Sequence, residues 1–337
     1  MPSGLVFITG ATGFIGSVIA LKTLKAGYSL RISVRKEEQI LKLKTLISRY
    51  EDRVDFVITA DITHESSFAG KLNGVNYVLH VASPLPHGTN PETYFGPAVS
   101  GTTAILKEAA KVSSIKKVVI TSSIVAFMPI SGLPEGGVIK EDNDWDLSVD
   151  PNSDFSGAND DATGMRLYHA SKLLANKASW DFKKTVNPRF SLVTLHPAFV
   201  YGHNPLQKTA QELGGTNGLF FLTVAGGKPL VTITAVHVED VAESHVKALA
   251  DDISDGSYLL AGEKASWKDV AAIVEREYPQ LGFKISSEIS GESWPLDTAK
   301  AERELRMQWR SLEQMTKEVI GQQIKLRGQN EDDFVSM

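Results

Sequence analysis

Tyr168 and Lys172 stand four residues apart in Tyr168-His169-Ala170-Ser171-Lys172, inside a stretch of helical periodicity. That spacing puts both side chains on one helix face. A phenol titrates near ~10 and is a poor acid–base group at neutral pH, but an ammonium beside one favours its ionised form. The pair therefore points to proton transfer. Upstream, Thr121-Ser122-Ser123 closes an apolar run with three hydroxyls. On a strand Ser122 faces away from Thr121 and Ser123, so either set could complete a site beyond the carboxyl end of a strand, where open α/β sheets hold their ligands. A third feature opens the chain. The apolar run Leu5–Thr9 stops at Gly10-Ala11-Thr12-Gly13-Phe14-Ile15-Gly16, after which helical spacing continues to Gly27. This predicts strand, tight turn, helix. Glycines let a ligand approach where a Cβ would clash, and the helix start offers free N–H groups to a phosphate. The expected ligand is a dinucleotide pyrophosphate lying against Gly10, Thr12, Gly13, Phe14 and Ile15.

The elements that must position these groups follow at regular intervals. Ser29–Val34 reads as a second strand, and it ends at Arg35 and Lys36. An acidic residue there would bond a ribose hydroxyl, whereas a basic one accommodates a 2′-phosphate, so NADP is expected over NAD. Val54–Ile58 is a third strand, and residues 75–81 are a fourth, which runs into Ala82-Ser83-Pro84-Leu85-Pro86, a loop expected to pass beside the cofactor. A helix is predicted over 91–112 and a fifth strand at Lys117–Thr121. Strands alternating with helices imply a parallel sheet with right-handed crossovers, an α/β fold of the Rossmann, doubly wound kind.

Residues 128–163 lose all periodicity and are rich in Gly, Pro, Asp and Asn, which suggests a flap over a site. Within them Asp142-Asn143-Asp144-Trp145-Asp146 lacks the glycine and glutamate of a calcium loop, with Leu147 and Ser153 in those places. A helix at 163–184 and a sixth strand at 190–195 precede His196-Pro197, where the chain is expected to leave the sheet. Helices near 218–225, 236–250, 266–278, 296–305 and 312–326, with a strand at 257–260, fit a smaller C-terminal substrate lobe interleaved with the last strands. The expected division is a dinucleotide-binding part at 1–203, with a later strand near 230–262 returning to it, a lobe at 204–330 and a frayed tail at 331–337.

With 337 residues, 42% hydrophobic and 22% charged, the chain has ordinary globular composition. A net charge of −5 gives no reason to expect nucleic acid or an anionic membrane as partner. It contains no cysteine, which excludes thiol nucleophiles, disulfides and thiolate metal sites, and its eight histidines show no His-x-x-x-His spacing, so no metal is expected. Neither a basic-apolar leader nor an apolar run of ~18 residues is present. A cytoplasmic monomer or homodimer acting on a small molecule is the expectation.

The segments TGATGFIG, VRK, ADIT, HVASP, VVITSSI, YHASK, HPAFVYG and VHVEDVAESHV, in that order, span most of residues 5 to 250. Together they resemble the extended short-chain dehydrogenase/reductase family, and within it the fungal NADPH-dependent aldehyde and ketone reductases related to methylglyoxal reductase and dihydroflavonol reductase. The resemblance implies hydride transfer from NADPH to aldehydes or ketones, ketoesters included, giving chiral alcohols. It assigns catalysis to Ser123, Tyr168 and Lys172. It extends the cofactor contacts to Lys42, Asp61, Ile62, Thr121, Pro197, Val200 and Thr216, with Tyr168 and Lys172 also touching the cofactor. Apolar substrate walls are implied at Leu85, Ile124, Met128, Met165 and Phe199, a lining that would discriminate weakly and give a broad range. One position departs from the pattern: Ala98-Val99-Ser100-Gly101-Thr102 has Ser100 where relatives carry asparagine. A nucleotide-sugar epimerase or dehydratase would share the fold, but a dehydratase needs an acid beside the serine, where Ile124 stands. A non-catalytic dinucleotide sensor would have lost Tyr168 or Lys172.

Overall fold

The computed structural model describes residues 4–83 and 88–328. Seven parallel strands form its central sheet, in the order β3-β2-β1-β4-β5-β6-β9. They are β1 (Leu5–Thr9), β2 (Ser29–Val34), β3 (Val54–Ile58), β4 (Tyr77–His80), β5 (Lys117–Thr121), β6 (Ser191–Pro197) and β9 (Gly256–Leu260). β1 lies inside the sheet, between β2 and β4, and its Val6, Phe7 and Ile8 are apolar on both faces and fully buried, as a strand covered by helices on two sides must be. The helix α1 (Phe14–Lys25) packs with α6 (Val238–Lys247) on one face, and α3 (Phe95–Ala110) with α4 (Asp160–Val186) on the other. α2 (Glu38–Ile47) flanks the β2 end. This is the doubly wound Rossmann-like architecture expected from the alternating pattern.

A second core gathers beyond the carboxyl end of the sheet. Two short strands, β7 (Phe199–Tyr201) and β8 (Ala235–His237), pair in parallel with each other, and α5 (Gly215–Gly226), α7 (Trp267–Glu277) and α9 (Leu312–Arg327) close around Tyr201, Phe220, Trp267 and Ile320. The short helix α8 (Ala299–Glu304) leads into α9.

Several boundaries differ from the sequence reading, each for a tertiary reason. β6 continues through His196 and Pro197 instead of leaving the sheet, because β9 extends alongside and pairs Pro197 with Leu260. The helix expected over 236–250 begins as β8 and turns helical only at Val238, since residues 235–237 have β7 as partner. α4 starts at Asp160, three residues early, because the Asn159 side chain accepts from Ala162 N–H and caps it. The irregular stretch after Met128 is pinned rather than free: Ile139 is fully buried and exchanges backbone bonds with Pro295 and Asp297, and Glu141 accepts from Leu259 N–H at 2.9 Å. It thereby covers the outer edge of β9, which would otherwise present unpaired backbone groups. The tail at 331–337 lies outside the described residues.

Candidate active site

The turn between β1 and α1 behaves as its glycines require. Gly10 has φ +78°, and a Cβ on Gly16 would lie 2.1 Å from the Gly10 carbonyl oxygen, so bare glycine is what lets α1 sit against the turn. A Cβ on Gly13 would meet only that oxygen at 3.5 Å, leaving open space above it. No side chain caps α1; Gly13 N–H donates to the Gly10 carbonyl and Ser17 N–H to the Gly13 carbonyl. The N–H groups of Phe14, Ile15 and Gly16, between these two bonds, are the ones a helix start leaves without an intrahelical partner.

That groove has a volume of about 320 Å³ and runs across the ends of β1 to β4. Of the expected cofactor residues, Gly10, Thr12, Gly13, Arg35, Ile62, Ala82 and Ser83 line it. Sequence reasoning missed Gln39 and Thr59, which line it too. Gln39 Oε1 accepts from the Arg35 N–H at 2.8 Å, fixing the strand end that aims Arg35. Thr59 is 1% exposed and its hydroxyl has no protein partner, an orphaned donor in the wall of the cavity. An open glycine cradle, an unpaired buried hydroxyl and a basic side chain at the far end fit a phosphorylated dinucleotide.

Other expected contacts sit elsewhere. Lys42 and Phe14 line a neighbouring cavity of about 310 Å³ with Asn204, Gln207 and Glu212, joined to the groove only through Thr12. Asp61 turns its carboxylate back to accept from Thr63 N–H and Oγ1–H, which lowers its pKa, so it caps the following turn. Thr216 Oγ1 donates to the Val200 carbonyl, so these two expected contacts engage each other. Lys36 and Pro197 lie outside the groove lining, as does Ile15.

At the end of β5 the alternation of hydroxyls resolves. Thr121 donates to His245 Nε2 at 2.7 Å, towards α6. Thr121 and Ser122 both border a cavity of about 20 Å³ shared with His80, Ser83 and Lys172. Ser123 opens a 3-10 turn, and its carbonyl accepts from His196 Nδ1 at 3.0 Å while its hydroxyl has no partner among the described residues. His169 Nε2 donates to the Met128 carbonyl at 2.8 Å, tying this turn to α4 one residue past Tyr168.

On α4, Lys172 Nζ lies 5.4 Å from the centroid of the Tyr168 ring and donates to Ser83 Oγ at 3.2 Å. The ammonium is thus shared between the phenol and the loop that borders the groove. Below it His80 is buried, and burial together with the Lys172 charge holds its pKa down to about 4. Thr9 accepts from Ala82 N–H and donates to His80 Nδ1 at 2.9 Å, and the other ring nitrogen bonds the Gly101 carbonyl. His80 therefore stays neutral and braces β1, β4 and α3 beneath the site. Ser100, beside that carbonyl, forms no side-chain bond among the described residues.

The expected substrate walls do not converge as a set. Ile124 and Met128 are 2% and 6% exposed and belong to the main core, because the 3-10 turn folds them inward. Met165 is 51% exposed on the outer side of α4. Phe199 is half-buried and meets Trp294, with ring centroids 6.3 Å apart. Leu85 lies outside the described residues. These residues include no metal-ligating cluster, and no helix among them is long and apolar enough to cross a membrane.

Comparison with known proteins agrees with the geometry. Over 331 residues the chain is 53% identical to the ketoreductase sphI of Aspergillus fumigatus, covering 96% of this chain and 99% of that protein. It superposes on Gre2 of Candida albicans, crystallised in complex with NADPH, with a TM-score of 0.79 at 25% identity, covering 96% of this chain and 99% of that one. Vestitone reductase from alfalfa gives a TM-score of 0.74 at 26% identity, with 96% and 99% covered. Residues 6–261 match the NAD dependent epimerase/dehydratase family, and the chain is a member of it, an extended short-chain dehydrogenase/reductase of the branch that includes these reductases.

Proposed function

We propose that this chain reduces ketones and aldehydes, ketoesters among them, to chiral alcohols with NADPH. The observation that carries the reading is the Lys172 ammonium held between the Tyr168 ring and Ser83 at the border of a dinucleotide-shaped groove. The first turn of α1 would hold the pyrophosphate, Thr59 and Ile62 the adenosine end, and Arg35 the 2′-phosphate. NADPH, when bound, supplies the hydride. Ser123 donates a hydrogen bond to the substrate carbonyl and orients it. Tyr168 passes its phenolic proton to the same oxygen as the alcohol forms. Lys172 steadies the negative charge left on Tyr168 and draws on Ser83 to keep its own position.

The test is NADPH consumption with a panel of carbonyl compounds, repeated for single variants. Tyr168→Phe should lower kcat at least a thousandfold while NADPH binding stays within a few-fold of the parent, since the phenol acts on the substrate. Ser123→Ala should lower kcat about a hundredfold, the scale of one lost oxyanion donor, and more than Ser122→Ala does. A Tyr168→Phe enzyme within tenfold of the parent would sink the assignment.

A further inference from the structure

Past Phe199 lies a cavity of about 260 Å³ that neither the groove nor the Ser123–Tyr168–Lys172 group uses. Ala235, Ala261 and Gly262 make its floor, Trp294 and Leu296 its wall, and Val138 from the pinned stretch its rim. The polar groups around it are already engaged. Gly262 N–H donates to the Ala235 carbonyl, Trp294 N–H to Thr234 Oγ1, Ala265 N–H to Ser293 Oγ and Leu312 N–H to Glu263 Oε1. The rest of the lining is mainly apolar and includes the Trp294 indole. Lys264 is the sole basic residue of the lining; its side chain is 77% exposed and lies 3.8 Å from Glu292, so no charge waits for a phosphate.

The position of the cavity relative to the chemistry is set by the sheet. Ala261 directly follows β9, β9 pairs with β6, and β5 beyond it ends at the turn carrying Ser123. Two strand spacings separate the cavity floor from the end of β5, about 10 Å. The Phe199 ring, on the strand that directly follows β6, meets Trp294 at a tilt of 43°. Such a pair accepts a third ring in offset contact.

Resting on the carbonyl-reduction reading, we infer that this cavity is the subsite for the far end of the substrate, a ring-bearing apolar substituent packed between Trp294, Leu296 and Val138. A carbonyl at Ser123 with an aromatic or fused-ring group attached spans the distance; a short aliphatic ketone does not reach it. Specificity then resides in Trp294, a residue of the lobe, and the enzyme selects ring-bearing ketones over small ones.

The experiment compares acetonaphthone with butanone. In Trp294→Ala the ratio of their kcat/KM values should fall at least tenfold, and Trp294→Phe should keep most of it. Val138→Trp, a change at a rim residue that leaves the core untouched, should block the cavity and lower the ratio similarly even if Trp294→Ala folds poorly. A ratio within twofold of the parent in Val138→Trp and in folded Trp294→Ala overturns the subsite. Equilibrium dialysis of acetonaphthone against the NADP⁺-saturated protein separates the two readings. Binding weakened tenfold by Val138→Trp in a protein that turns over no ketone would overturn carbonyl reduction alone, and binding indifferent to both variants would overturn the subsite alone.

Discussion

Arg35 leaves β2 at the rim of the groove with Gln39 holding its backbone, and Thr59 sits below with an unpartnered hydroxyl. A guanidinium in that place can make a charge-assisted bond to a 2′-phosphate, on the order of 1.5–3 kcal/mol. Arg35→Asp should therefore weaken NADPH about ten- to a hundredfold and leave NADH within a few-fold, read by fluorescence titration of both; equal losses would show that Arg35 does not read the phosphate. Lys42 is set apart from Arg35 with Glu212 in its own cavity, so Lys42→Ala is expected to cost less than Arg35→Asp does. The place of Arg35 at the rim and the shared helix face of Tyr168 and Lys172 were legible, because a strand end and a four-residue spacing alone decide them. Gln39 and Thr59 were not, since a glutamine and a threonine acquire a role there only from the cavity they face.

At the scale of elements, the glycine turn makes two separable demands. Gly16 is required by packing, because a Cβ there would lie 2.1 Å from the Gly10 oxygen and push α1 off the turn. Gly13 is not required by packing, because its Cβ would meet only one protein atom, at 3.5 Å, so on the proposed reading it is the ligand that needs the space. Gly16→Ala should thus lose about 1–3 kcal/mol of stability through overpacking and NADPH binding with it, whereas Gly13→Ala should melt like the parent and still bind NADPH poorly. Thermal unfolding beside cofactor titration distinguishes them; a Gly13→Ala protein that binds normally would remove the turn from the phosphate site. α9 shows the other kind of element. Its Gln322 accepts from Asn204 N–H and donates to the Asn204 carbonyl, and Gln323 pairs with Gln207, so a helix more than a hundred residues away fixes the loop that walls the Lys42 cavity.

For the molecule as a whole, three of the buried histidines make stability sensitive to acid. His80, His196 and His245 are neutral braces between sheet and helices, and burial, the largest cause in each, holds their pKa values to about 4, about 3 and about 4. Each lies below the unfolded value of 6.5, so unfolding takes up protons. Their contribution is complete above pH ~6.5 and is lost as pH falls through the window below it. Near pH 5 the unfolded chain binds about three more protons at these sites, a slope of about 4 kcal/mol per pH unit. Urea unfolding between pH 7 and pH 5 should show stability dropping at that order, and His245→Gln should flatten the slope by about one proton. A pH-independent midpoint over this range would contradict the buried neutral assignment.

By itself the sequence determined the strand–turn–helix at the start, the alternation that builds a parallel sheet, and the Tyr168–Lys172 pair, because glycine sterics, side-chain periodicity and four-residue helical spacing are short-range properties that survive without knowledge of the rest of the chain. Tertiary structure decided everything that depends on a distant partner. β7 and β8, three residues each, have no period to read and exist only through each other. β6 runs two residues further because β9 lies beside it. The Thr121 hydroxyl is engaged by His245, 124 residues on, a partner that no local pattern announces. Ile124 and Met128, apolar residues apt for a substrate wall, went to the core, while Trp294 met Phe199 across 95 residues of chain. An apolar side chain serves core and pocket equally well, and only the packing around it determines which one it lines.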